Sequence, residues 1–142
     1  MDLLAALRLA LGETFAFYFL AHSHHWNVRG PLFPQLHGLF GSIYEDAHDA
    51  VDTLAERIRT LGVLAPASLQ GIAAPATIVF TEPPDAAGMV LQLIAGNDAV
   101  IKALDAANAA AQSVANDGLA NILQERLDVH AKWAWQLKAI TE

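Results

Sequence analysis

Four prolines, Pro66, Pro75, Pro83 and Pro84, crowd the stretch from residue 63 to 84, and the long segments on either side are each broken only once, at Gly30–Pro31 and at Asn116–Asp117–Gly118. Proline lacks the backbone donor a helix interior needs and clashes with the preceding turn, so no helix runs through the proline-rich stretch. The four segments left between these breaks carry apolar residues at helical spacing. In the first, about Asp2 to Val28, Leu4, Leu7, Leu11, Tyr18 and His25 recur on one side. The second begins near Pro34, a residue suited to a first helical turn, and stops at Leu61–Gly62. Asp85 is placed to cap a third helix running from Ala86 to about Ala115. The fourth, about Leu119 to Ile140, aligns Leu119, Ile122, Leu123, Leu127, His130, Trp133 and Leu137. Short connections make helices one and two, and three and four, antiparallel neighbours. The expected fold class is all-α, a four-helix bundle with one long crossover between helices two and three.

At 142 residues the chain is expected to form a single domain over 1–142 and to bury a core of its own. The net charge of −7, with no basic tail and a first lysine only at Lys102, argues against direct DNA binding and against anionic lipid as a partner. No cysteine is present, so disulfide and thiolate chemistry are excluded. Arg8 and Glu13 interrupt the apolar N-terminal segment, and Asp2 stands where a secretory leader would carry a base. A cytoplasmic protein with no membrane association is expected.

The second helix has three faces. Stepping about 100° per residue places Leu36, Leu39, Phe40, Ile43, Ala47, Val51, Leu54, Ile58 and Leu61 on a core side, with Asp46, Asp49, Thr53 and Thr60 opposite, facing water. Between them runs a stripe of His37, Gly41, Glu45, His48, Asp52 and Glu56. The plain alternative is a solvated face. Such faces usually mix signs, whereas this stripe has no lysine and only Arg59 near its end, and small residues line it. A close neighbour would then have to satisfy the polar groups, by hydrogen bonding or by sharing a cation. Imidazole with carboxylate and without thiolate suits iron or zinc. A carboxylate-rich set favours iron oxidation, because hard oxygen ligands stabilise the ferric product.

The segment "HHWNVRGPLFPQLH", followed by "DTLAERIRTLG", resembles the Dps-like miniferritins, the DNA-protection-during-starvation family of the ferritin superfamily; "HAKWAWQLKAI" is similar to that family's last helix. The resemblance implies a ferritin-like bundle assembled as a homo-oligomer, a hollow dodecamer. It implies ferroxidase sites between two chains related by a twofold axis, with His25 and His37 from one chain and Asp52 and Glu56 from the other. Trp26 would pack beside the site, and Trp135 is similar to the family's final-helix Trp. The implied activity is oxidation of Fe(II), preferably by hydrogen peroxide, with ferric mineral stored inside as protection against oxidative stress.

One departure bears on the chemistry. The family usually places an Asp four residues after the second His, and here that position is Gly41. If two copies of the second helix pair antiparallel with His37 near Glu56, then Gly41 faces Asp52 and Glu45 faces His48, so Glu45 and His48 are further candidate metal ligands. Rival readings are a non-catalytic cage that binds zinc or iron with its oxidase site disabled at Gly41, and a site within one chain built on the Glu-x-x-His unit at 45–48. His22 is a candidate for supporting His25, His24 is expected to point away from the site, and His130 is expected to be a hydrogen-bonded core residue.

Overall fold

The structure is a computed structural model describing residues 1–142. It contains helices and no strands: α1 (Leu3–Asn27), α2 (Phe33–Thr60), α3 (Leu69–Ala73), α4 (Ala86–Ser113) and α5 (Asp117–Ile140). The four long helices form the expected ferritin-like bundle. α1 lies centrally, packing along α2 on one side and α4 on the other, and α4 pairs with α5.

The ends are set by local chemistry. Asp2 caps α1 by accepting from the Ala5 amide, and Asp85 caps α4 by accepting from Gly88 at 2.8 Å. Gly62, at φ +84°, ends α2 in the left-handed region that a side chain would resist. The break between α4 and α5 falls at Val114–Asn116 rather than across the whole Asn-Asp-Gly run, because Asn116 caps α5 and Asp117 and Gly118 form its first turn. The five-residue α3 inside the crossover was not foreseen; Ser68 caps it, and its stretch of sequence is too short to show a period.

The core is built from Leu7, Leu11 and Phe17 of α1, Phe40, Ile43, Leu54 and Ile58 of α2, Met89, Leu93 and Leu104 of α4, and Leu123 and Leu137 of α5. Each is almost fully buried, contributing about 1.5–3 kcal/mol against exposure. The crossover is fastened to α1 at two points. Buried Glu13 accepts from both the amide and the hydroxyl of Thr77, and Gly12 lets the chain pass so close that a Cβ there would stand 2.8 Å from the Ile72 carbonyl oxygen. α1 and α4 are long and apolar enough to cross a membrane by length and composition, contrary to the reading that Arg8 and Glu13 rule this out. Both pack into the bundle, against each other, and that burial accounts for their apolarity.

Asp46 does not face water as the wheel suggests. Arg126 of α5 clasps it with two hydrogen bonds of 2.8 Å, and the Trp133 indole N–H donates to it at 3.1 Å. Arg126 also donates to His130 Nε2 at 3.1 Å, while His130 Nδ1–H donates to Asn97 of α4 at 2.7 Å. The buried, hydrogen-bonded His130 is thus as expected. Burial above all, with the Arg126 charge beside it, pushes its pKa down to about 3, so the ring is neutral. Burial alone would raise Asp46, but the Arg126 hydrogen bonds and charge outweigh it and hold the carboxyl below its ordinary range.

Candidate metal centre

The turn between α1 and α2 sets the candidate site. Gly30, at φ +110°, reverses the chain, so that the last turn of α1 lies beside the first turns of α2. His25 and His37 meet there with ring centroids 3.8 Å apart and planes 16° from parallel. Their bonding is reciprocal. His25 Nδ1 contacts the His37 carbonyl oxygen at 2.7 Å, and His37 Nδ1 contacts the His25 carbonyl oxygen at 2.8 Å. A carbonyl only accepts, so both Nδ1 atoms must carry hydrogen. In the neutral rings Nε2 then holds the free lone pair on each. A backbone-anchored Nδ1–H with Nε2 left over is the arrangement that orients a metal-binding imidazole.

Gly41 has a clear local role. A Cβ there would stand 3.2 Å from both Nδ1 and Cε1 of His25, so the room the glycine leaves is taken by the chain's own imidazole rather than by a neighbouring backbone. Gly38, the other small residue beside the stripe, has open space around it.

Glu45, His48, Asp52 and Glu56 are exposed along α2. The three carboxylates take part in no ion pair or side-chain hydrogen bond within the chain; His48 Nδ1 is 4.0 Å from Asp49. Asp52 lies fifteen residues beyond His37 on one unbroken helix, hence roughly 22 Å away along its axis. The chain therefore brings His25 and His37 together and keeps Asp52 and Glu56 apart from them. No three His, Asp or Glu side chains within it group so as to hold a metal ion. A site inside the bundle on the Glu45–His48 unit is also disfavoured, because both residues point outward and the cationic Arg126 occupies the interior at that level.

The sequence placed Trp26 beside the site and His22 behind His25, but the part of Tyr18 and Tyr44 was missed. The Tyr18 hydroxyl and His22 Nδ1 share a hydrogen bond of 3.0 Å. His22 stacks on Tyr44 at 3.8 Å and only 4° from parallel, and lies 4.2 Å from the Trp26 ring. Tyr44 is in turn 5.2 Å from His25, and Tyr18 is 5.0 Å from His48, between ring centroids. The signal was the four-residue spacing of Tyr18, His22 and Trp26, which puts them in one row. Burial first, then the neighbouring His25 and His48, holds His22 below its ordinary pKa. His24 points away from the site as expected; it is buried, with Nε2 2.9 Å from Gln92 Oε1. Trp26 and Trp135 are both largely exposed.

Residues 4–142 match the ferritin-like domain family. A DNA protection during starvation protein of Brevibacillus brevis is 32% identical over 126 residues, covering 88% of this chain and 85% of the relative. An uncharacterised low temperature-induced protein of Nostoc sp. is 30% identical over 135 residues, covering 93% and 75%. Among solved structures, a Dps protein from Vibrio cholerae O1, described as a member of a broad superfamily of ferritin-like diiron-carboxylate proteins, superposes with a TM-score of 0.93 at 28% identity, covering 99% of this chain and 89% of that one. A Dps protein from Bacillus brevis superposes with a TM-score of 0.92 at 28% identity, covering 99% and 95%. With the bundle, the crossover and the paired imidazoles, these matches establish that the chain belongs to the ferritin-like family as a Dps-like miniferritin.

Proposed function

We propose that the protein is a ferroxidase that oxidises Fe(II) with hydrogen peroxide at sites shared between twofold-related subunits, and stores the ferric product inside a hollow dodecamer in the cytoplasm. Fe(II) is the substrate. His25 and His37 of one subunit bind it through their Nε2 atoms, and the partner subunit's Asp52 and Glu56 complete the grip. The observation that carries this reading is the reciprocal anchoring of the two Nδ1 atoms, which aims two imidazole lone pairs before any metal arrives. Support also comes from the unpaired carboxylates on α2, which reach those imidazoles only when a second copy of the helix runs antiparallel to it. Glu45 and His48 then meet near the dyad and serve as further ligands.

Two irons side by side deliver both electrons that peroxide needs, whereas a lone iron delivers one and releases hydroxyl radical. Gly41 bears on this directly, since it withholds a carboxylate where the family usually has one. The second reading, a zinc- or iron-binding cage without oxidase activity, rests on that residue. Anaerobic loading with Fe(II) followed by peroxide separates the two. The enzyme reading expects rapid ferric absorbance that collapses in His37→Ala and in Glu56→Ala. Ferric formation no faster than in buffer refutes it and favours the inert cage.

A further inference from the structure

His24 is a burden on the fold. It is only 2% exposed, and its Nδ1 atom is buried with no hydrogen-bond partner, whereas an apolar side chain in its place would strand no polar atom. We propose that His24 and Gln92 are positioning residues for the metal centre, tying the last turn of α1, which carries His25, to α4 and the crossover. This rests on the proposed metal site at His25 and His37 and deepens it.

The tie is a continuous chain of hydrogen bonds. The Thr81 hydroxyl donates to the Glu82 carbonyl oxygen at 3.1 Å, so it accepts from the Gln92 side-chain amide at 3.0 Å. Gln92 Oε1 is thereby turned toward His24 and accepts from its Nε2–H at 2.9 Å. The crossover end of the chain is itself held. Thr77 donates its amide to Glu13 of α1 at 2.8 Å, and Ile78, between the two threonines, packs against the core.

His24 and His25 are consecutive, so their side chains leave α1 about 100° apart. One is bonded to α4 and the other to α2. The turn is therefore gripped from two directions. The bonds between His25 and His37 fix the two rings to each other, but a helix end is short of partners and frays. A constellation of ligands has to be held to within about 0.5 Å to keep its geometry. The His24 bond supplies that hold from the side facing away from the metal. This accounts for a polar residue kept at a cost to the fold, one position from a ligand and bonded away from it.

The test uses Co(II), whose visible absorption reports its ligands, titrated into the assembled protein. The double variant His24→Phe/Gln92→Leu removes both partners together, so its denaturation midpoint is expected to match or exceed that of wild type. Its Co(II) affinity is expected to fall about 3- to 10-fold with altered visible bands, less than the roughly 10- to 100-fold seen when a ligand's own hydrogen-bond partner is lost. Hydrogen exchange at the Val28 amide, which donates to the His24 carbonyl oxygen, is expected to quicken. Gln92→Glu, which keeps an oxygen for the imidazole, is expected to bind Co(II) as wild type does. Wild-type affinity, bands and exchange in the double variant overturn the inference. So does a loss of affinity matched by an equal loss of stability, which makes the pair mere packing. Both outcomes leave the metal site standing. Co(II) binding that His37→Ala does not change overturns the site and the inference together.

Discussion

Replacing Arg126 with methionine removes the cation of the interior network while keeping an unbranched side chain in its space. Arg126 is 12% exposed and its partner Asp46 is 28% exposed, so the pair is mostly, though not wholly, withdrawn from water. Removing one member of a buried pair costs about 3–5 kcal/mol, chiefly by leaving the other charge unmatched. Residual solvent contact at Asp46 moves the expectation to the low end, about 3 kcal/mol. In a chain of this size that lowers the midpoint of thermal unfolding by about 10 °C. The double variant with Asp46→Asn is the discriminating one. It discharges the stranded carboxylate yet keeps an oxygen for the Trp133 indole, so at least half the lost stability should return, visible as coupling in a double-mutant cycle. Denaturant unfolding at fixed subunit concentration provides the measurement, because assembly itself adds stability. A parallel readout is the His130 imidazole followed by NMR. Its pKa should rise from about 3 once the guanidinium is gone, while staying depressed because burial is the larger cause. A loss under about 0.5 kcal/mol in Arg126→Met would show that the network does not stabilise the fold in the way described. Strictly additive single variants would show that the two residues do not act as a pair.

His130 also sets an acid limit. Its folded pKa of about 3 lies below the ordinary 6.5, so the neutral ring favours the fold. That contribution is complete above about pH 6.5 and is lost as pH falls toward 3, a loss of up to a few kcal/mol. Denaturation midpoints should fall across this window, and a His130→Gln variant should flatten the decline. Gly41→Asp restores the carboxylate usual in the family but must displace the His25 ring by a few tenths of an ångström. Calorimetric titration with Zn(II) or anaerobic Fe(II) should show additional metal bound per site, and unchanged stoichiometry would mean that the missing carboxylate is not what limits loading.

The architecture was legible because its signals are local. Prolines and glycines mark where helices stop, and the three- and four-residue periods mark which side of each helix is apolar. His25 and His37 were legible as a pair only through the resemblance carried by the segment that holds them; the short turn between two antiparallel helices is what brings them together. Asp46 was misplaced for the opposite reason. The wheel of α2 knows nothing of α5, and a cation arriving from eighty residues away turns an outward position into a half-buried one. The role of Gly41 was hidden in the same way, because the ring that fills its space belongs to another helix. Tyr18 read only as part of the periodic side of α1, and nothing singled out Tyr44, until His22 was seen bonded to one and stacked on the other.

The crossed imidazole-to-carbonyl bonds at the α1–α2 seam have a consequence for the helix end they hold. The oxygen that His37 holds is that of His25, in the last turn of α1, where helix carbonyls lack partners of their own. The His37 ring is therefore a cap on α1 and cannot swivel to offer its other nitrogen without undoing that helix end. In the proposed ferroxidase, ions would come and go while the joint that meets them keeps its shape.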